Sequence, residues 1–313
     1  MTVIRTLTVN DNEIRLDKYI KRFFPNLTQS VIEKSLRRGL IKVNDQMVKS
    51  NYRVSHGENI IIKYIDNVHF HSEYKTPELK PNTKLIKLLQ ENILYEDDYI
   101  VAINKPAGII VQGGKNSVSD VLDYIKSEET LKMVHRIDRD TSGIIIFARN
   151  AAVAKYLMGE FKTRTINKTY LSLTVGIPDE NNGIINCPLV KRYVAGQEKV
   201  IVDINSSLNA VTHFSILEKL NHNVAFLKLT PITGRTHQLR VHLAHINCPI
   251  LGDGKYGGRK AFINGIVNKM HLHAHSLSLK LPNNRKIVLT APISQHIKQS
   301  IEIFSSVHVA KNL

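Results

Sequence analysis

The chain has 313 residues, 42% of them hydrophobic, with 43 Lys and Arg against 27 Asp and Glu and a formal charge of +16. That length suits one large domain plus a small one, and such a basic balance attracts a polyanion, nucleic acid above all. No apolar stretch is long enough to span a membrane, and the opening Met1-Thr2-Val3-Ile4-Arg5-Thr6-Leu7 lacks the apolar core of a signal peptide, so a cytoplasmic protein is expected.

Cys187 and Cys248 lie far apart, each before a proline, and read as two ordinary thiols rather than a disulfide framework.

Residues 12–66 read as a small α+β module. Ile14, Leu16, Tyr19 and Ile20 have helical spacing, with Asp11 or Asn12 available as a cap. Thr28 caps a second predicted helix over residues 31–38, which Gly39 ends. Strands are expected at residues 40–43 and 59–64. Lys34, Arg37, Arg38 and Lys42 form a cationic cluster suited to a phosphate backbone, although a solvated basic face has the same composition. The helix-helix-Arg-Arg-Gly-turn-strand pattern resembles the S4 RNA-binding domain.

Residues 67–90 are polar and irregular and read as a linker. His69 and His71 there invite a metal reading, which no neighbouring cysteine or carboxylate cluster supports.

From residue 91 onward the pattern is strand-rich. Residues 99–103 predict a strand, broken by Asn104-Lys105-Pro106-Ala107-Gly108, and Ile109-Ile110-Val111 runs into a turn at Gly113-Gly114. The run His135-Arg136-Ile137-Asp138-Arg139-Asp140-Thr141-Ser142-Gly143 then packs charge into one turn and feeds the apolar Ile144-Ile145-Ile146-Phe147. A carboxylate between guanidiniums stays ionised and suits a nucleophile or base. From this turn alone, Asp138 reads equally well as a structural cap ion-paired to its arginines.

Asn150 caps the next predicted helix. A strand at residues 168–175 puts Lys168, Tyr170 and Ser172 on one face, with Tyr170 as an aromatic on the polar side, able to stack on a base. Further strands are expected at residues 200–204, 212–217 and 224–230. In the segment from Thr230 to His242, Gly234 permits a turn and Thr236 is placed to cap a helix, with Arg235 at its N-terminus. Arg240, His237 and His242 follow closely. Gly252-Asp253-Gly254 and Gly257-Gly258 lack the strand-to-helix context of a phosphate cradle. Residues 270–275 alternate as a strand, placing His271, His273 and His275 on one face with no adjacent carboxylate. The fold class is α+β, with a large, mainly antiparallel mixed sheet flanked by helices over residues 91–313.

The three motifs, in this order, resemble the RluA family of pseudouridine synthases. They are residues 135–143, Lys168-Thr169-Tyr170, and Gly234-Arg235-Thr236-His237-Gln238-Leu239-Arg240-Val241-His242; Asn104-Lys105-Pro106-Ala107-Gly108 is a fourth match. Arg139-Asp140, Gly113-Gly114 and Leu189-Val190-Lys191 resemble the RluC branch, whose members modify 23S rRNA. The resemblance implies a pseudouridine synthase domain that needs no cofactor or metal and converts uridines in 23S rRNA. It implies Asp138 as the catalytic carboxylate, Arg136 filling the space of a flipped base, Tyr170 stacked on the uracil, Arg235 paired with Asp138, and Leu239 below the base. The large-subunit rRNA precursor is the implied partner, with a monomer expected. A tRNA synthase of the same family and a non-catalytic RNA-binding or ribosome-assembly protein are the alternatives; the presence of Asp138, Tyr170 and Arg235 together weighs against the latter.

Overall fold

The computed structural model describes residues 3–11, 13–25, 27–63, 82–113, 116–126, 130–194 and 196–311. They divide into two compact units, split between Lys80 and Pro81.

In the first unit, α1 (Leu16–Phe23) and α2 (Gln29–Arg37) pack on a three-stranded sheet of β1 (Val3–Thr8), β2 (Ile41–Val43) and β3 (Asn59–Lys63). Leu16, Tyr19, Ile20, Ile32 and Leu36 supply the buried helix faces, against Ile41, Ile60 and Ile62. Thr28 accepts from the Val31 amide, and Gly39 (φ +66°) turns the chain out of α2, as the sequence predicts. Two expectations fail. The unit begins before residue 12, because β1 pairs antiparallel with β3. Asp11 does not cap α1; its carboxylate pairs with Arg22, and Arg15 takes the cap position without a side-chain bond.

The second unit is built on a ten-stranded sheet. Its strands are β4 (Ile93–Glu96), β5 (Ile100–Lys105), β6 (Ser142–Ala148), β7 (Asn167–Val175), β8 (Asn182–Asn186), β11 (Val211–Asn221), β12 (Val224–Pro231), β13 (Leu272–Lys280), β14 (Lys286–Thr290) and the two-residue Lys132–Met133. β9 (Leu189–Val194) and β10 (Gln197–Val202) form a separate hairpin. Along the main sheet the order is β8-β11-β12-β7-β13-β6-β5-β4. Its pairings are antiparallel except one: β13 meets β6 in parallel, at His273–Ser142 and Ala274–Gly143. The large, mainly antiparallel mixed sheet expected from the sequence is present.

Alternation along the strands decides what covers each face. Val101, Ile103, Ile145 and Phe147 pack with Leu85 and Leu89 of α3 (Thr83–Glu91). Ile100, Ala102, Ile144 and Ile146 pack on the opposite face with Val153 and Leu157 of α4 (Ala151–Thr163). Further along, Leu227, Leu229 and Leu272 meet Leu239 and Leu243 of α5 (Gln238–His245). Leu173 meets Ile297 and Phe304 of α6 (Gln295–Lys311) on the other side.

Residues 83–90 are therefore not linker: α3 buries Leu85 and Leu89 in this core. Residues 64–81, with His69 and His71, lie outside the described residues, as does Gly114. Ile109-Ile110-Val111 forms no strand, and Asn104 and Lys105 extend β5 instead of breaking it. The face of Tyr170 and Ser172 is not a polar face: Ser172 is fully buried and its hydroxyl donates to the His271 carbonyl. α5 covers that side, and sequence alternation carries no sign of what lies opposite.

Candidate active site

The site forms where the turn before β6 meets the start of α5. β6 is buried throughout its length, so the turn ahead of it has a rigid base. Gly143 is obligatory there. Its φ is +106°, and a Cβ would lie 2.2 Å from the Ala274 carbonyl oxygen across the parallel pair. The Asp138 carbonyl accepts from the Thr141 amide, and Ile137 anchors the turn in the apolar core. Lys105, fully buried, donates from Nζ to the carbonyls of Pro106, Ile109 and Arg139 at 2.9–3.1 Å, tying two loops together. Burial lowers its pKa to about 7, with the Asp140 and Asp138 charges opposing. His135 accepts the Ile146 amide at Nε2 and stacks on Phe161; burial lowers it to about 3, so it is a neutral acceptor.

A cavity of about 400 Å³ opens over this turn. Asp138, Tyr170, Arg136, Arg235 and Leu239, drawn from three distant segments, all line it. Tyr170 packs against both halves of the core, and burial, with the Asp138 charge, raises its phenol above the ordinary value, so it stays neutral.

The ion pair differs from the expected one. Arg240, not Arg235, holds Asp138: Nη1 donates to Oδ2 at 3.2 Å. The Arg235 guanidinium reaches the Asn209 carbonyl at 3.4 Å instead. The cause is where α5 begins. Thr236 does not cap it; His237 takes that place in a left-handed conformation (φ 54°). The Gln238 side chain accepts from Thr233 Oγ1 and the Arg235 amide, bracing the loop. Position 240 then faces inward and position 235 lies at the cavity mouth. Arg139 likewise pairs with Asp140 rather than Asp138.

Two neighbours of the Asp138–Arg240 pair, Asp253 and Tyr256, escape the sequence reading, and His237 acquires a place there. Asp253, 2% exposed, grips Arg240 in a two-point bond at 2.7 and 2.8 Å. Burial opposes the Arg240 charge, but the Asp253 and Asp138 carboxylates outweigh it and raise its pKa. Tyr256 lies under the Arg240 guanidinium, 5.0 Å from ring centre, and its hydroxyl is 2.6 Å from His237 Nδ1. His237 in turn places Nε2 3.8 Å from Asp138 Oδ2. Burial lowers His237, with the Asp138 charge opposing. The only trace of Asp253 in sequence is the Gly252-Asp253-Gly254 turn, where Gly252 (φ +83°) sits so close to Lys269 that a Cβ would lie 1.9 Å from its carbonyl.

His271 and His273 are fully buried, bonded to Ser300 and Ser142 respectively, and His275 to the Ala291 carbonyl. No metal-binding group of His, Cys, Asp or Glu occurs among the described residues. In the first unit, Lys34, Arg37 and Arg38 are exposed and Lys42 is half-buried. No described helix is long and apolar enough to cross a membrane.

Two family profiles match the chain: RNA pseudouridylate synthase over residues 99–245 and the S4 domain over residues 14–60. The ribosomal large subunit pseudouridine synthase C of Rickettsia bellii (strain RML369-C) is 38% identical over 281 residues, covering 85% of this chain and 89% of that protein. The one from Buchnera aphidicola subsp. Baizongia pistaciae is 33% identical over 301 residues, covering 93% and 94%. Among solved structures, human RNA pseudouridylate synthase domain containing 4 superposes with a TM-score of 0.61 at 29% identity, covering 72% of this chain and 97% of that one. Relatives of this identity run through both units, and the Asp138 cavity falls almost wholly within the matched segment; the chain belongs to the RNA pseudouridylate synthase family and is an RNA pseudouridine synthase with an S4 domain ahead of its catalytic unit.

Proposed function

We propose that the protein converts specific uridines of 23S rRNA to pseudouridine, acting as a cytoplasmic monomer on the large-subunit precursor, with Asp138 as the catalytic carboxylate. The observation that carries this reading is the Asp138–Arg240 bond at the floor of a cavity walled by Tyr170 and Leu239. The relatives named as large-subunit synthases, and the S4 domain, support the rRNA substrate.

The isomerisation balances within the nucleotide. The C1′–N1 bond breaks, C1′ joins C5, the C5 proton is lost and N1 gains one. Uracil leaves as an anion and stays bound while it turns. A uridine in folded RNA must first be flipped out, at a cost of a few kcal/mol. Arg136, exposed on the rim, fills the vacated place in the stack. Tyr170 stacks on the uracil and Leu239 closes the apolar side. Asp138 acts on the ribose, and Arg240 keeps its carboxylate aimed. Arg235 at the mouth meets the backbone, while Lys34, Arg37, Arg38 and Lys42 of the S4 domain add phosphate contacts.

The test is site-resolved pseudouridine mapping of rRNA and tRNA from a deletion strain complemented with wild type or Asp138→Asn. Large-subunit sites should vanish on deletion and return only with wild type. Restoration by Asp138→Asn would overturn the role of the carboxylate, and losses confined to tRNA would overturn the substrate.

A further inference from the structure

The Asp138–Arg240 pair has a second cavity beside it, of about 700 Å³, within the range of roughly 300–1,000 Å³ typical of small-ligand sites. Arg136, Ile137, Asp138, His237 and Arg240 line both cavities, so one wall separates them. The far wall of the second comes from elsewhere: Gln112, the Gly252–Lys255 turn, Phe262 and Lys269.

Two of these side chains are not used by the reaction site. Phe262 is 40% exposed, and its ring rests against Gly254, where a Cβ would come within 3.1 Å of it. One side of the ring is therefore fixed and the rest is open. Lys269 makes no ion pair among the described residues, whereas Arg139 is neutralised by Asp140 and Arg240 by Asp253 and Asp138. An open aromatic and an unneutralised cation in one cavity match the two chemical parts of a nucleotide, a π-face and a phosphate.

We propose that this second cavity is a subsite for the nucleotide next to the target uridine, its base stacked on Phe262 and its phosphate facing Lys269. The inference rests on the target uridine occupying the first cavity. An RNA strand that delivers a ribose to Asp138 continues over the shared wall, and the second cavity adjoins that wall. Stacking is indifferent to base identity, so the subsite takes any of the four bases and requires only that one be present.

The experiment uses the full-length protein and a synthetic rRNA hairpin carrying a mapped target uridine. One neighbouring nucleotide at a time, on the 5′ or 3′ side, is made abasic. With wild type, the abasic change at one side should lower single-turnover kcat/KM by roughly tenfold, and Phe262→Ala should do the same on the intact hairpin. The two changes together should cost no more than either alone, and Phe262→Tyr should behave as wild type. Losses that multiply at both neighbours, or a Phe262→Ala enzyme as fast as wild type, would overturn the subsite while leaving the uridine assignment standing. A wild-type protein that forms no Asp138-dependent pseudouridine would instead overturn the underlying reading, and the subsite with it.

Discussion

Arg240 donates to Asp138 across 102 residues of sequence, while Asp253 holds the same guanidinium from the other side. The bond is directional because Arg240 is fixed at both ends of its fork. Lysine offers a single point charge and cannot reproduce it. Arg240→Lys should lower kcat/KM by roughly ten- to a hundredfold, the worth of a hydrogen bond to a charged group. Asp253→Asn should act in the same direction by loosening the fork. Arg235→Lys should stay within roughly threefold of wild type, since its pairing is at the exposed mouth. Single-turnover kinetics on an rRNA fragment decide; a larger loss at Arg235 than at Arg240 would reverse the assignment.

The proposed stack of the uracil on Tyr170 needs a face, not a charge, and the phenol is held neutral. Tyr170→Phe should therefore retain most activity. Tyr170→Ala should lose about 1–3 kcal/mol of stacking, roughly 5- to 150-fold in rate. If both variants are equally inactive in the same assay, the hydroxyl has a chemical role.

Gly143 is where the Asp138 turn meets β13. Gly143→Ala combines a positive φ with a Cβ 2.2 Å from a carbonyl oxygen, so the parallel pairing must part. The cost should be on the order of 3 kcal/mol, lowering Tm by roughly 6–12 °C. Calorimetry showing an unchanged Tm would mean that the strand relaxes freely there.

Two buried histidines and the half-buried His135 make stability depend on pH. Burial lowers His135 from 6.5 to about 3, and His271 and His273 to about 4. Unfolded, each takes up a proton near pH 6.5; folded, each stays neutral until far lower pH. The unfolded chain thus binds more protons in between. Stability is fully present above about pH 6.5 and is lost as pH falls below it, by up to about 1.4 kcal/mol per pH unit for each ring. Thermal unfolding at pH 7.5, 6.5 and 5 tests this, and a Tm that holds constant contradicts the burial of neutral rings.

The S4 cluster predicts a salt effect. Replacing Lys34, Arg37 and Arg38 together by Gln should weaken rRNA binding at low salt. The slope of log K against log salt should become shallower by roughly 0.7–0.9 for each phosphate that is no longer neutralised. An unchanged slope would show that these side chains do not meet the backbone.

Much of this molecule is legible in its sequence wherever the determinant is local. Thr28 and Asn150 cap their helices because a cap needs only the next three residues. The buried β6 is evident from four consecutive apolar residues after the 135–143 turn, and Asp138, Tyr170 and Leu239 stand out in compact motifs. The helix over residues 83–91 is hidden in polar surroundings, since the core that buries Leu85 and Leu89 comes from strands further along the chain. β1 leaves no local sign because its hydrogen bonds go to a strand some fifty residues later. Sequence alone thus determined which groups the site contains: a carboxylate, an aromatic, an apolar side chain and an excess of arginines. Tertiary structure decided which arginine meets the carboxylate. The left-handed turn at His237 and the brace from Gln238 set where α5 begins, and that phase points Arg240 inward and leaves Arg235 at the mouth. Asp253 and Tyr256 complete the grip through contacts that no local pattern records, because side-chain direction on a helix depends on its first turn, and the first turn depends on what the rest of the fold presses against it.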